Sequence, residues 1–258
     1  MYLYSLMPSQ LQARPMKCNI AIAMILSVAF ALPARAEFVG TLEFEPAGCK
    51  STGQCLLVYD FGYIDPSGVG WQAKAGLKTD GASIPAWAQS IIGGAWDTEY
   101  LRAAVIHDHY CERTVRPRTA THRMFYNALI ESGVSQAKAL VMYYAVMVGS
   151  HMWINLMEGQ PCSGIANCVR RAPAETVIPN ASIRPNQAGE LQAYRPPRFD
   201  DPAVMRDIRE AQKIIEAGSI KAPEEVEQFA KRRNPSDFFL THGDSVRYHG
   251  PSSKLPDR

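Results

Sequence analysis

Four short strings hold the side chains best suited to chemistry: Thr79-Asp80-Gly81-Ala82-Ser83-Ile84-Pro85, Gly93-Gly94-Ala95-Trp96, His107-Asp108-His109-Tyr110 and His122-Arg123-Met124-Phe125. The first places the Asp80 carboxylate and the Ser83 hydroxyl around a glycine, a loop suited either to binding a cation or to capping a helix. His107 and Asp108 are neighbours on an expected helix, so they point about 100° apart and can face one cleft without competing for the same atom. Imidazole is a base tunable near neutral pH, and carboxylate is a hard oxygen ligand for a cation. Four residues on, Cys111 shares the His107 face and Glu112 the Asp108 face. His122 falls near the start of a second helix, where the dipole disfavours the imidazolium and keeps the ring neutral, able to accept a proton or ligate a metal. His107 and His122 are therefore the expected catalytic residues and Asp80 and Asp108 the expected metal ligands, with Ser83 and Cys111 nearby. His109 is expected at the surface and His151 in a structural role, while His242 and His249 receive none.

The expected fold class is α+β: a small antiparallel sheet or hairpin, then a three-helix bundle. Residues 38–45, 55–64 and 69–77 alternate or are rich in β-formers, and Asp65-Pro66-Ser67-Gly68 supplies turn chemistry between the last two. Asp97 is placed to cap a helix over residues 98–113, and Thr119 to cap a second ending at Gly133. A third helix runs from Gln136 to about Met152 and is apolar nearly all round, as befits the centre of a bundle. Residues 169–199 are Pro-rich and aperiodic, and read as a linker. Asp201-Pro202 and Pro223-Glu224-Glu225 start two short helices in a weakly structured tail over residues 200–258. The expected division is thus a signal peptide (1–36), a compact domain (37–168), a linker and a tail.

Export is expected from the N-terminus. Arg14 and Lys17 precede an apolar run of about thirteen residues from Ile20, and Ala34-Arg35-Ala36 then offers the small-x-small cleavage pattern. A membrane-spanning helix needs roughly twenty apolar residues. Removal of residues 1–36 takes three basic side chains and leaves 24 Lys and Arg against 25 acidic residues, so the mature chain is nearly neutral and gives no electrostatic reason for a nucleic-acid partner. No second run is long enough to span a membrane. Of the five remaining cysteines, Cys49 with Cys55 and Cys162 with Cys168 each bracket a short turn and are expected to pair in an oxidising compartment, leaving Cys111 as a buried thiol. The expected location is periplasmic or secreted.

With these strings in place, the chain resembles a bacterial and phage family of unknown function that shares a T-D-G-[AS]-S-I-P loop and an A-A-x-x-H-D helix, here Ala103 to Asp108. The resemblance covers about residues 38–154 and implies a small α+β domain without an established reaction. Many relatives carry Asp at the position of His122. A looser likeness is to secreted phospholipases of the A-two type, with a D-G-x-S loop ahead of an H-D helix. It implies that His107 activates water and that Asp108 binds calcium to stabilise the oxyanion. The chain lacks the glycine-rich calcium loop of that group.

Two functions are expected from this reading. The first is a metal-assisted hydrolase of an envelope component such as a lipid ester, with calcium or zinc as the cation. The second is a non-catalytic envelope or phage-derived binding module, in which Asp80, His107 and Asp108 form a buried polar network. The expected partner is an envelope lipid or cell-wall component.

Overall fold

The computed structural model describes residues 35–82, 89, 93–94, 96–158, 178 and 180–248. Residues 1–34 of the expected signal peptide, Ser83, Cys162, Cys168 and His249 lie outside them.

The architecture is α+β, with small sheets and, among the described residues, six helices. Each of the three expected strands bends and serves two sheets. The first gives β1 (Glu37–Val39) and β2 (Phe44–Glu45), the second β3 (Cys55–Leu57) and β4 (Phe61–Ile64), and the third β5 (Gly70–Ala73), with β6 (Lys78–Thr79) just past its expected end at residue 77. β1, β4 and β5 form one antiparallel sheet, while β2, β3 and β6 form the other. One bend falls at Gly40, whose φ of 92° suits glycine and where a Cβ would sit 2.8 Å from the Asp60 carbonyl oxygen. The turn between β4 and β5 is held by Asp65, whose carboxylate accepts from Ser67 N at 2.9 Å, Val69 N at 3.0 Å and Trp71 Nε1 at 2.9 Å. A Cys49–Cys55 disulfide ties a short 3-10 turn to β3.

α1 (Thr98–Arg113) and α2 (Arg118–Glu131) follow, joined through Pro117. Asp97 stands at the α1 start but accepts from Gly94 N at 3.0 Å, outside the helix. Thr119 lies inside α2 and is not its cap. The Thr119 N–H donates instead, over 3.0 Å, to the carboxylate of Asp244, 125 residues further along the chain. α3 (Gln136–Gly149) is buried from Ala139 onward, as its all-round apolar sequence requires. It stops at Gly149, short of Met152, and the chain enters β7 (Met152–Glu158).

The stretch read as a linker holds β8 (Ser182–Pro185) and β9 (Leu191–Arg195), a hairpin whose turn is closed by Asn186 accepting from Ala188 N and Glu190 N, both at 2.9 Å. β9 pairs antiparallel with β7. The tail is also built in, as part of the same compact unit. α4 (Pro202–Glu216) buries Val204, Ile208, Ala211 and Ile215, spaced four, three and four residues apart, and packs on α3. α5 (Pro223–Arg233) buries Val226 and Ala230 against the same helix. α6 (Phe238–Thr241) leads to β10 (Ser245–Tyr248), which joins β7 in parallel. The expectation of a weakly structured tail is corrected for residues 238–248, which hold α6 and β10. α3 therefore has α2, α4 and α5 around it, and burying each aliphatic side chain in that shell contributes roughly 1.5–3 kcal/mol. Gly149 lets the chain ahead of α4 come close, since a Cβ there would lie 2.6 Å from the Phe199 ring.

Candidate functional site

A cavity of about 760 Å³ opens between the β2-β3-β6 sheet, α1, α3 and the chain ahead of α4, a volume suited to a small organic ligand. Ala104, His107, Asp108 and Glu112 form one stripe of α1 at helical spacing and line it. Thr79 and Asp80 reach it from the end of β6. The loop after Thr79 is fixed by its Oγ1, which accepts from Gly81 N at 3.1 Å, and by the positive φ of Gly81 at 99°. α3 contributes an apolar wall of Val141, Met142, Ala145 and Val146, and Ser150 and His151 follow it.

Of the expected site residues, Asp80, His107 and Asp108 thus share the cavity. His122 and Cys111 do not line it and stand behind His107, both fully buried. His107 Nε2 lies 2.9 Å from His122 Nδ1, a hydrogen bond whose donor depends on the tautomers. Cys111 Sγ lies 3.4 Å from His107 Nε2. The other ring nitrogen of His107, Nδ1, is 3.4 Å from Asp108 Oδ1. Aromatic packing holds both rings in place, His107 against Phe125 with centroids 4.5 Å apart and His122 edge-on to Trp153 at 5.8 Å. Ligand atoms of His107, Cys111 and His122 all lie within 4.8 Å of one another.

Burial sets the electrostatics. It raises the Asp108 carboxyl above its usual range, with His107 opposing and the Asp80 charge adding to the rise. The Asp108 side chain is still 29% exposed, because the cavity admits water to a group that protein otherwise surrounds. Glu112 is raised in the same way, by burial and then by the charges of Asp108 and Asp80. Burial pushes the His122 imidazole well below its ordinary value, and the neighbouring His107 and Arg118 add to this. The ring is neutral, as its place near the α2 start suggested, though burial is the larger cause. The Cys111 thiol is pushed well up by burial and by the nearby Asp108 charge. An inaccessible thiol held protonated in this way is a poor nucleophile.

Two residues of this site were given no role from sequence. Glu112 was placed on the Asp108 face but left unassigned. His151 was read as structural, yet it lines the cavity with Nδ1 2.6 Å from the Tyr194 hydroxyl, its pKa lowered to about 4 by burial. Only its place just past the end of α3, the helix that walls the cavity, hinted at this. His109, expected at the surface, is buried beside Arg113, which lies 2.9 Å from its Nε2.

Fold and site together define a small α+β domain built around an amphipathic cavity with a histidine-carboxylate wall. Residues 56–146 match the family described as "Protein of unknown function (DUF1353)", which places this segment in a domain family of unknown function. The match includes Asp80, His107, Asp108, Cys111, Glu112 and His122, whereas His151, β8, β9 and the helices after them lie beyond it. Two proteins of Sinorhizobium fredii are similar to the chain. "Uncharacterized protein y4iH" is 42% identical over 143 residues, covering 54% of this chain and 60% of its own length. "Uncharacterized protein y4jT" is 39% identical over 145 residues, covering 55% of this chain and 43% of its own. The chain therefore spans about half the length of these relatives. No solved structure matches the chain significantly.

Proposed function

We propose that the protein is an exported hydrolase whose cavity takes an amphipathic ester of the cell envelope, a lipid ester being the first candidate. The observation that carries this reading is the division of the cavity: α3 lines it with aliphatic side chains, and α1 with β6 lines it with Asp80, His107, Asp108 and Glu112. An acyl chain suits the first wall. A scissile ester suits the second, where burial raises the carboxyls of Asp108 and Glu112 above their usual range and so favours proton transfer through them. In this reading Asp108 takes a proton from the attacking water, His107 Nδ1 orients the Asp108 carboxylate, and Glu112 returns a proton to the leaving alcohol.

Export is supported by the Cys49–Cys55 disulfide, a bond suited to an oxidising compartment, and by the signal-like N-terminal sequence. Among the described residues no helix is long and apolar enough to cross a membrane.

The test is turnover of a p-nitrophenyl ester series by the purified full chain. The proposal predicts hydrolysis that rises with acyl length until the apolar wall is filled. Saturable binding of a long-chain acid without turnover of any ester overturns it in favour of the binding module.

A further inference from the structure

We infer that His107 Nε2, His122 Nδ1 and Cys111 Sγ bind one soft divalent metal ion of the zinc class, at a site behind the cavity wall. This moves the expected cation away from the oxygen ligands Asp80 and Asp108. The inference stands whether or not the cavity hydrolyses an ester, because metal binding is read directly.

Three observations converge on it. Two imidazole nitrogens and a sulfur, all buried, lie within 4.8 Å of one another, His107 Nε2 standing 2.9 Å from His122 Nδ1 and 3.4 Å from Cys111 Sγ. Zn–N and Zn–S bonds of about 2.0–2.1 and 2.3 Å set tetrahedral edges of roughly 3.3–3.6 Å, so an ion enters by spreading the two rings about half an ångström. The remaining nitrogen of His107 then carries the proton and lies beside the Asp108 carboxylate at 3.4 Å. A histidine ligand characteristically donates to a carboxylate in this way, which fixes its tautomer and raises its basicity. The third observation is that the alternative use of these groups fails. A Cys-His-Asp order invites a nucleophilic reading, but the Cys111 sulfur is buried behind the wall, while His107 Nε2 faces His122 as well as the thiol. The donor set selects the metal class. Thiolate and imidazole suit zinc, whereas calcium and magnesium take oxygen ligands. Binding breaks the Cys111 S–H bond, forms the metal–sulfur bond and releases one proton to the solvent. Both histidines bind as neutral rings. Among the described residues three ligands leave a fourth position for water or a further donor.

The test uses the full chain stripped by chelator and titrated with zinc or with cobalt(II) as its spectroscopic stand-in. The inference predicts one equivalent bound, about one proton released, and a near-ultraviolet sulfur-to-cobalt charge-transfer band. X-ray absorption of the zinc-loaded protein should show one sulfur neighbour, a readout that needs no variant. Cys111→Ser should abolish the band. His122→Gln should weaken zinc binding by at least about 100-fold and Asp108→Asn by about 10–100-fold, the range that loss of an outer-shell partner costs. Exposed His242→Ala should leave affinity unchanged. Substoichiometric binding by wild type, a band that survives Cys111→Ser, or a zinc shell without sulfur overturns the inference.

Discussion

His107 Nε2 lies 2.9 Å from His122 Nδ1, and this contact links α1 to α2 between the cavity wall and the core. His122 has no water of its own to turn to, being fully buried. In metal-free protein His107→Ala leaves that ring without its partner, at an expected cost of about 1–3 kcal/mol. Thermal unfolding in chelator reads this directly, and a melting temperature equal to wild type would show that the pair carries no stability.

Asp108→Asn should behave in the opposite way. Burial raises the Asp108 carboxyl, so the folded chain holds that proton to higher pH than the unfolded chain does. Ionisation above the ordinary carboxylate range therefore works against folding. In chelator the variant should melt at or above the wild-type temperature, and its advantage should grow as pH rises above the ordinary carboxylate value and level off once folded Asp108 is ionised. A variant that melts lower at every pH would contradict the assignment.

Asp65 gives the reverse pH dependence. Burial would raise its carboxyl, but hydrogen bonds from Ser67, Trp71 and Val69 outweigh that and hold it below the usual range. Its stabilisation is present above the unfolded carboxylate pKa and is lost as pH falls through the lower folded value. Asp65→Ala should cost about 1–3 kcal/mol at neutral pH and lose most of that penalty in strong acid, as measured by denaturant unfolding across pH.

The tail should be inseparable from the core. Ile208 is buried on α4 and also lines the cavity, so Ile208→Ala is expected to cost about 2–5 kcal/mol. Truncation before Pro202 should yield an aggregating chain, because α3 would lose the partners of its apolar surface. A truncated chain that melts cooperatively and binds no hydrophobic dye would show that the domain ends earlier.

Much of the helical frame was legible in the sequence. The start of α1 was read from Asp97, which stands at the right place although its side chain does not cap the helix, and α4 and α5 were read from Asp201-Pro202 and Pro223, because those signals are local. What escaped was long-range. Asp244 caps α2 from more than a hundred residues away, so Thr119 took the role by default. β8 and β9 are four and five residues long, contain or abut proline, and gain their strand character from pairing with β7. Nor could three bent strands be seen to serve two sheets, since only Gly40 hints at such a corner. In the site, the stripe of His107, Asp108, Cys111 and Glu112 followed from helical spacing. The depth of His122 behind that stripe followed from packing between helices, which periodicity on one helix does not encode.

The central claim, that the cavity is a hydrolytic site with Asp108 as its proton-transfer group, is tested most directly by kcat/KM of wild type and Asp108→Asn on one long-chain p-nitrophenyl ester. Both proteins should be loaded with equal metal and checked for equal folding. The account predicts turnover by wild type and a loss of about 10²–10⁴-fold in the variant, carried by kcat with KM little changed. Equal turnover by the two proteins, or none by wild type, would contradict it.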